Sequence, residues 1–234
     1  MNRLTLFNAA VRPDQALIER FERLNTPSIS DNLERNHGCV GVHAVGACLT
    51  ALGMTTIAGP ALTIRTRPGD NLVVHKAMDI AQPGDILVID AHGEVTNAIL
   101  GEIMCRYARS RGIAGIIVDG AVRDCEAIGS GILPVFAKGV SHLGPYKSGP
   151  GEIHGTVNIG GMTVNDGDIV VGDADGVVVV PAWRAEEAVH AAEAVVEMER
   201  QQVSDINNGT LDRTWIDEAL EVKTVDEIQR YRTA

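Results

Sequence analysis

Arg123 and Asp124 are the side chains in this sequence best suited to chemistry, because they stand next to each other shortly after a predicted buried strand. The planar guanidinium of arginine pairs well with carboxylates, and an aspartate carboxylate is a hard oxygen ligand for Mg²⁺ or Mn²⁺. The pair could therefore hold an anionic oxo acid together with the metal that polarises it. The alternative is structural: Arg123 and Asp124 form a salt bridge in a loop, and Asp124 caps the next helix.

Gly101 and Glu102 open a predicted helix, Glu102–Ser110, that follows another buried strand. A helix N-terminus offers free N–H groups and a favourable dipole to anions, and glycine lets a ligand approach the backbone closely. The N–H groups of Ile103 and Met104 could therefore bind a carboxylate or an enolate oxygen. Glu102 would then reach the metal through water. In the simpler alternative it is only a favourable charge in the first helical turn.

Glu199 interrupts an apolar stripe on a second predicted helix, Glu186–Gln202, and on the residues that follow it. The stripe consists of Val189, Ala192, Val196 and Val203. A carboxylate within an apolar stripe costs stability unless it is paired. Either the helix has left the core by that turn, or Glu199 points into a polar site, which could belong to a neighbouring subunit.

Other candidates for chemistry are weaker. The seven histidines show no spacing of the kind that binds zinc, and Cys125 has no recognisable base beside it. The glycines between Gly144 and Gly155 form no nucleotide-binding fingerprint, and the Gly-Asp-Ala-Asp-Gly run at 172–176 is too short for an EF-hand loop. We expect this run to be a hairpin turn.

The elements that must position these residues form a predicted strand–helix–strand unit in the middle of the chain. Its strands are Ile86–Asp90, Ala114–Asp119 and Leu133–Phe136, with the helix Glu102–Ser110 between the first two. Strands connected in this way run parallel, and their carboxyl ends meet the N-termini of the helices at one edge of the sheet. We therefore expect Asp90, Gly101–Glu102, Asp119 and Arg123–Asp124 to converge.

Further elements flank this unit. A helical stretch Asp14–Glu34 breaks at Thr26–Pro27, and Ser28 or Ser30 could cap a second short helix around Asp31–Asn36. More strands are predicted at Ala61–Arg65, at Asn71–His75 and, antiparallel, near the C-terminus at Thr156–Ile159, Asp168–Val171 and Val177–Val180. Three strands follow a Gly-Asp turn, since Pro-Gly-Asp precedes Asn71 and Ile86, and Asp-Gly-Asp includes Asp168. We predict one domain over residues 1–205 and a helical C-terminal arm over 206–234, with short helices at Trp215–Val222 and Val225–Tyr231.

Composition narrows the class of protein. Lys and Arg number 20 against 31 Asp and Glu, and the net charge of −11 disfavours nucleic acid and anionic lipid as partners. Only 3% of the residues are aromatic, so the core must consist of Val, Ile, Leu and Ala. The sequence contains no long apolar run of the kind that spans a membrane and no signal peptide, and the four cysteines lack the density of a secreted scaffold. We therefore expect reduced thiols in a cytoplasmic protein.

The motifs together resemble the superfamily shared by RraA-like proteins and the class II 4-hydroxy-4-methyl-2-oxoglutarate / 4-carboxy-4-hydroxy-2-oxoadipate aldolases. The resemblance covers roughly residues 20–205. The motifs that carry it are Gly-Glu at 101–102 with Arg-Asp twenty residues later, Pro-Gly-Asp-Asn at 68–71, the strand Ala-Gly-Ile-Ile-Val-Asp-Gly before Arg123, and the run NDGDIVVGDADGVVVVP at 165–181.

This resemblance implies an α-β-β-α sandwich that assembles as a homotrimer or homohexamer, with active sites at the subunit interfaces. It implies a divalent cation, Mg²⁺ or Mn²⁺, on the carboxylate matching Asp124. The acid matching Glu102 and one from a neighbouring subunit, which Glu199 would fit, act through water. The residue matching Arg123 binds the keto acid.

The implied activity is that of a metal-dependent lyase. It would cleave 4-hydroxy-2-oxo acids to release pyruvate, and oxaloacetate decarboxylation would pass through the same enolate. The alternative is a non-catalytic RraA-like regulator of a ribonuclease that acts by binding protein. The aldolases usually carry an acid three residues after the aspartate, where this chain has Ala127, and the C-terminal segment with Trp215 and Tyr231 also differs from theirs.

Overall fold

The computed structural model of the chain describes residues 3–222, so the helix predicted at Val225–Tyr231 lies outside the described residues. The described residues divide into two compact units, the first ending at Val195 and the second beginning at Val196, so the boundary falls within the helix α7 (Ala185–Asn208). Within the second unit a further short helix, α8, spans Thr214–Ala219. Among residues 3–222 no helix combines the length and the apolar character needed to cross a membrane.

Four parallel strands form the centre of the nine-stranded sheet. They lie in chain order as β3 (Ile57–Thr66), β4 (Ile86–Leu100), β5 (Gly115–Val122) and β6 (Val135–Val140). The connecting helices are α4 (Leu72–Ile80), α5 (Glu102–Ser110) and α6 (Cys125–Gly129). The predicted parallel strand–helix–strand unit is thus confirmed.

Antiparallel strands join this centre through β3. The first half of β3 pairs with β10 (Ile169–Gly172), which pairs with β11 (Val177–Val180). The end of β3 pairs with β7 (Gly151–Ile153), and β1 (Leu4–Leu6) lies parallel to β7 at the sheet edge. The other edge strand is β2 (His43–Ala44), next to β6. A separate hairpin contains β8 (Val157–Ile159) and β9 (Met162–Val164). The predicted fold class, mixed α/β with antiparallel C-terminal strands and a long C-terminal helix, is confirmed.

The core consists almost entirely of aliphatic side chains, as composition requires. Phe21 and Phe136 are the only fully buried aromatic side chains among the described residues. Strands β5, β10 and β11 are buried along their whole length, which is typical of sheet centres covered on both faces. All four cysteines are free thiols.

The N-terminal helices differ from the prediction in their bounds. They are α1 (Gln15–Phe21) and α2 (Thr26–Asp31), followed later by the short α3 (Cys48–Ala51). The break precedes Thr26, because the Asn25 side chain caps α2 by accepting from the N–H of Ser28 at 2.9 Å. Pro27 then falls in the first turn, where its missing N–H costs nothing.

The strand predicted at Asn71–His75 is wrong, because Leu72 begins helix α4. The β-branched pair Val73–Val74 suggested a strand, but Asp70 accepts from the N–H of Leu72 at 3.0 Å and so starts a helix. Both valines are buried in the core.

Candidate active site

A cavity of about 270 Å³ opens where β4 and β5 end and α5 begins. Its charged lining residues are Arg123, Asp124 and Lys147, so cations outnumber carboxylates inside a strongly acidic chain. The full lining is Asn71, His75, Leu100, Gly101, Ile103, Met104, Arg123, Asp124, Pro145 and Lys147. The sequence-predicted residues Gly101, Ile103, Met104, Arg123 and Asp124 thus share one cavity.

Arg123 and Asp124 are held against the end of β4. The N–H of Arg123 donates to the carbonyl of Leu100 at 3.0 Å, and the Arg123 Nε lies 3.7 Å from Asp124 Oδ2. A side chain at Gly101 would collide with Asp124 Oδ2 and would lie 2.8 Å from Arg123 Cγ. Glycine is therefore required at position 101 for these two side chains to occupy their places.

Asp124 does not cap the helix that follows it. It stands at the N-cap position of α6 in the left-handed conformation, with φ 57°, and makes no side-chain cap bond there. Its Oδ2 instead accepts from the N–H of Glu102, the first residue of α5, at 3.0 Å. The salt bridge with Arg123 is present as the structural alternative expects, but the expected cap is not.

The N-terminus of α5 presents donors to the cavity. The N–H of Cys105 bonds the Gly101 carbonyl, whereas no acceptor among residues 3–222 pairs with the N–H groups of Ile103 and Met104. The side chain of Glu102 turns along the helix, and its Oε1 lies 2.7 Å from both Nε and Nη2 of Arg106. Glu102 is thus beside the cavity, with its carboxylate paired to Arg106.

Sequence reasoning missed three lining residues with polar side chains, Asn71, His75 and Lys147. The Lys147 Nζ lies 3.1 Å from Asn71 Oδ1 and 3.4 Å from His75 Nε2. Burial and the charge of Lys147 hold the pKa of His75 below its usual 6.5 although Asp79 opposes them, so the imidazole is neutral at pH 7. The signals were present in the sequence as Pro-Gly-Asp-Asn at 68–71 and the glycine-rich stretch at 144–155, but neither indicated the other as its partner.

Asp90 and Asp119 do not join this cavity, contrary to the expected convergence. They face each other in register on β4 and β5, within the strands, because both strands continue to Leu100 and Val122. Together with Lys138, whose Nζ lies 3.2 Å from Asp119 Oδ1, they line a second cavity of about 560 Å³. The polar residues that were expected to meet at one edge of the sheet thus line two separate cavities.

Cys125 is unsuited to nucleophilic chemistry, in line with the sequence analysis. Burial and the neighbouring carboxylate of Asp124 raise the pKa of its thiol above the usual value of 9.0. The thiol is therefore protonated at neutral pH.

Comparison with known proteins identifies the family. A family model described as RraA-like, Aldolase/RraA, matches residues 26–179, which is well over half of the chain. The chain belongs to the RraA-like family. The resemblance drawn from the motifs is confirmed.

Individual relatives of this RraA-like chain agree in sequence and fold. A protein of Halalkalibacterium halodurans named "Putative 4-hydroxy-4-methyl-2-oxoglutarate aldolase" is 38% identical over 192 residues, which are 80% of this chain and 89% of that protein. The crystal structure of Streptomyces coelicolor RraAS2, described as an unusual member of the RNase ES inhibitor RraA protein family, matches with a TM-score of 0.71 and 30% identity over 81% of this chain and 99% of that one. An uncharacterized protein from Pseudomonas syringae pv. tomato gives a TM-score of 0.73 at 26% identity, over 86% and 97% of the two chains.

Glu199 lies in the second unit of this RraA-like chain. The apolar stripe is buried at Val189 and Ala192 in the first unit. In the second unit Glu199 is exposed, and so is Val203, with 56% of its surface accessible. The side chains of Met198 and Ile206 are also more than half exposed. The later turns of α7 therefore present apolar surface and a carboxylate to solvent in the single chain.

Among the residues that the structure describes, Asp124 is the one acidic side chain that lines this cavity, and it could contribute an oxygen to a divalent cation. No group of three or more His, Cys, Asp or Glu side chains within residues 3–222 is arranged to hold a metal ion. Asp124 nevertheless offers an oxygen, because no donor from the described part of the chain reaches its Oδ1. Mg²⁺ is commonly bound through one or two carboxylates and keeps several of its waters.

Proposed function

We propose that this protein is a divalent-metal-dependent lyase that cleaves 4-hydroxy-2-oxo acids and releases pyruvate, with oxaloacetate decarboxylation as a second activity. The observation that carries the proposal is the shared cavity, which Arg123, Lys147 and the N-terminus of α5 line together with Asp124. Membership of the RraA-like family and the name of the H. halodurans relative support it.

The oxo-acid end of the substrate would bind at the start of α5. The N–H groups of Ile103 and Met104 would bind the C1 carboxylate, and Gly101 leaves the room for this approach. The guanidinium of Arg123 would donate to the C2 oxygen. Lys147, held by Asn71 and facing a neutral His75, supplies a second positive charge for a dianionic substrate.

Cleavage transfers electrons toward the C2 oxygen. The C4 hydroxyl loses its proton, a carbonyl forms at C4, the C3–C4 bond breaks, and its electron pair enters the pyruvate enolate, which then takes a proton at C3. Arg123 would stabilise the charge that grows on the C2 oxygen, where a fixed donor is most effective. Glu102 and a neighbouring subunit's Glu199 would orient the water that accepts and returns the proton.

Asp124 would hold the cation, Mg²⁺ or Mn²⁺, through the oxygen that Glu102 leaves free. The cation would act as a Lewis acid on the oxo acid. In oxaloacetate the same electron flow would release CO₂ instead of a carbonyl compound.

The test is a coupled pyruvate assay over a panel of 4-hydroxy-2-oxo acids and oxaloacetate, with Mg²⁺ or Mn²⁺ present. We expect cleavage of at least one acid, reversible loss of activity in EDTA, and loss in the folded variant Asp124→Asn. Asparagine is the suitable replacement because it tolerates the left-handed conformation at this position. Full activity in excess EDTA would contradict metal dependence.

The second candidate is the non-catalytic ribonuclease regulator, which the similarity to the S. coelicolor RraAS2 structure favours. It predicts no pyruvate from any substrate of the panel together with direct inhibition of a purified RNase E-type ribonuclease. The presence of Asp124 in a cavity with two cationic side chains favours the lyase.

A further inference from the structure

Asp70 is a fully buried carboxylate, with none of its surface exposed, and it directly precedes the cavity residue Asn71. It is not itself among the residues that line the cavity. A buried charge costs stability unless its oxygens are fully hydrogen-bonded. The hydrogen-bond partners of Asp70 therefore indicate which part of the structure the buried carboxylate holds in place.

Three backbone donors satisfy the carboxylate. Oδ1 accepts from Leu72 N at 3.0 Å, and Oδ2 accepts from Ser148 N at 2.8 Å and Gly149 N at 2.7 Å. Arg67 Nη2 lies 3.4 Å from Oδ2. Burial alone raises the pKa of Asp70, but these donors and the arginine outweigh it, so the pKa is lower than usual and the group is charged at neutral pH.

These donors come from two segments that carry cavity residues. Leu72 begins α4, next to Asn71, while Ser148 and Gly149 directly follow Lys147. On the other side of Lys147, Tyr146 N donates to the Gly69 carbonyl at 2.8 Å and Asn71 N donates to the Tyr146 carbonyl at 3.0 Å. The backbone is thus fixed on both sides of Lys147.

The close approach of the loop depends on glycine at position 149. A Cβ there would lie 2.9 Å from Asp70 Cγ and 2.9 Å from Arg67 Cβ, closer than real contacts allow. Asp70 and Gly149 are therefore complementary: the first supplies the acceptor, and the second lets the loop reach it.

We infer that Asp70 is a positioning residue that places the Lys147 ammonium in the cavity by binding the loop behind it. The inference rests on the proposed function, in which Lys147 binds a carboxylate of the oxo acid. Since that carboxylate keeps its charge throughout the cleavage of a 4-hydroxy-2-oxo diacid, Lys147 binds the ground state and the transition state alike. Loss of Asp70 should then raise KM more than it lowers kcat.

The main variants are Asp70→Asn, Lys147→Met and their combination. Asparagine replaces one acceptor oxygen by an NH₂ group. This group is itself a donor, so it cannot accept from the backbone N–H that faces it, and at least one hydrogen bond is lost. We expect each single variant to raise KM by about ten- to a hundredfold, the range for a lost hydrogen bond to a charged group. In the Lys147→Met background Asp70→Asn should raise KM less than twofold, because the two residues act as one unit.

A matched control is Asp173→Asn. Asp173 is also buried and accepts from Thr26 N and Oγ1, both at 2.7 Å, and from Asp175 N at 2.9 Å, but it does not line the cavity. Both Asn variants should lower the melting temperature, and only Asp70→Asn should change KM. Should Asp70→Asn fail to fold, Gly149→Ala tests the same contact from the loop side.

Amide hydrogen exchange at Ser148 and Gly149 gives a readout that needs no activity. It should speed up in Asp70→Asn and stay unchanged in Asp173→Asn. Unchanged exchange, or an equal rise in KM with and without Lys147, overturns the inference. A wild-type protein that releases no pyruvate contradicts the proposed function alone, and the exchange experiment still decides whether Asp70 fixes the loop.

Discussion

At the residue scale, the two carboxylate oxygens of Asp124 have different roles: one forms a structural hydrogen bond, and the other is left for the proposed chemistry. Oδ2 accepts from Glu102 N, so the strand end of β5 is tied to the start of α5, and Oδ1 faces no donor from residues 3–222. The left-handed backbone at Asp124 makes this possible, because it turns the side chain away from the cap of α6. The same residue thus fixes the helix whose N–H groups would bind the substrate.

Replacing Arg123 by lysine tests the role of the guanidinium. Lysine keeps the charge but loses the planar fork, so donation to the growing charge on the C2 oxygen should weaken more than ground-state binding. We expect kcat to fall by about 10²–10³-fold, the effect of losing one oxyanion donor. Steady-state kinetics measure it.

Arg109→Lys is the matched control for this variant. Arg109 donates to the carbonyls of Gly131 at 3.2 Å and Ile132 at 3.0 Å, outside the cavity. The variant Arg109→Lys should leave kcat unchanged. An effect of Arg123→Lys on KM alone would reduce Arg123 to a binding residue.

His75 should make the unfolding free energy depend on pH. Its pKa is depressed in the folded protein, so below about pH 6.5 the unfolded chain binds a proton that the folded chain resists, and stability falls as pH decreases. His75→Asn should reduce this loss of stability between pH 7.5 and 5.5. The slope of the unfolding free energy against pH should change by an amount that corresponds to less than one proton. Denaturant titrations measure it. The exposed His142→Asn is the control, and an unchanged pH dependence in His75→Asn would contradict the assignment.

At the element scale, the three Gly-Asp turns explain where sequence prediction succeeded and failed. Asp85 accepts from the N–H of Gln82 at 2.8 Å, three residues before it, and Asp168 accepts in the same way from Asn165 at 2.9 Å. Each bond closes a turn, and an extended strand follows. Asp70 accepts from Leu72, two residues after it, and starts a helix. The tripeptide Pro-Gly-Asp occurs in both settings, so the direction of that bond could not be predicted from the sequence.

The site was predictable wherever local sequence positions it. Helix Glu102–Ser110 and strand Val177–Val180 have the predicted bounds, and Gly101, Arg123 and Asp124 meet because consecutive strands place them there. Lys147 reaches the same cavity only through hydrogen bonds to a segment more than seventy residues away. No local pattern encodes that contact.

Gly101→Ala tests how closely the side chains after β5 must approach the backbone at the end of β4. The new Cβ would displace Asp124 and Arg123, and a displacement of about 1 Å costs roughly a hundredfold in rate. We expect kcat/KM to fall by about that factor while the melting temperature changes little. Gly38→Ala, where the nearest atom is 4.0 Å from the added Cβ, should be tolerated in both respects. Wild-type kinetics in Gly101→Ala would show that the contact is not needed.

At the scale of the whole molecule, we predict that Glu199 acts in a neighbouring subunit. The exposed apolar side chains around Glu199 on α7 would be covered in an oligomer, and the carboxylate would gain a polar site. In a ring with heterologous contacts, each site would combine Asp124 of one subunit with Glu199 of the next. Equal amounts of inactive Glu199→Gln and Asp124→Asn subunits, dissociated and reassociated, should then restore about a quarter of the sites.

Pyruvate release by the mixed oligomers measures this complementation. Each variant dissociated and reassociated alone is the control for the procedure. If mixed oligomers form but are no more active than the parents, Glu199 does not act across an interface.

The pairing of β1 with β7 has a consequence for biosynthesis. Leu4–Leu6 pairs with Gly151–Ile153, so during synthesis β1 has no partner until almost 150 further residues have been added. At about 5–20 residues per second this delay lasts roughly 7–30 s. Over that time β1 carries two leucines and unpaired backbone groups, which can pair with a neighbouring nascent chain.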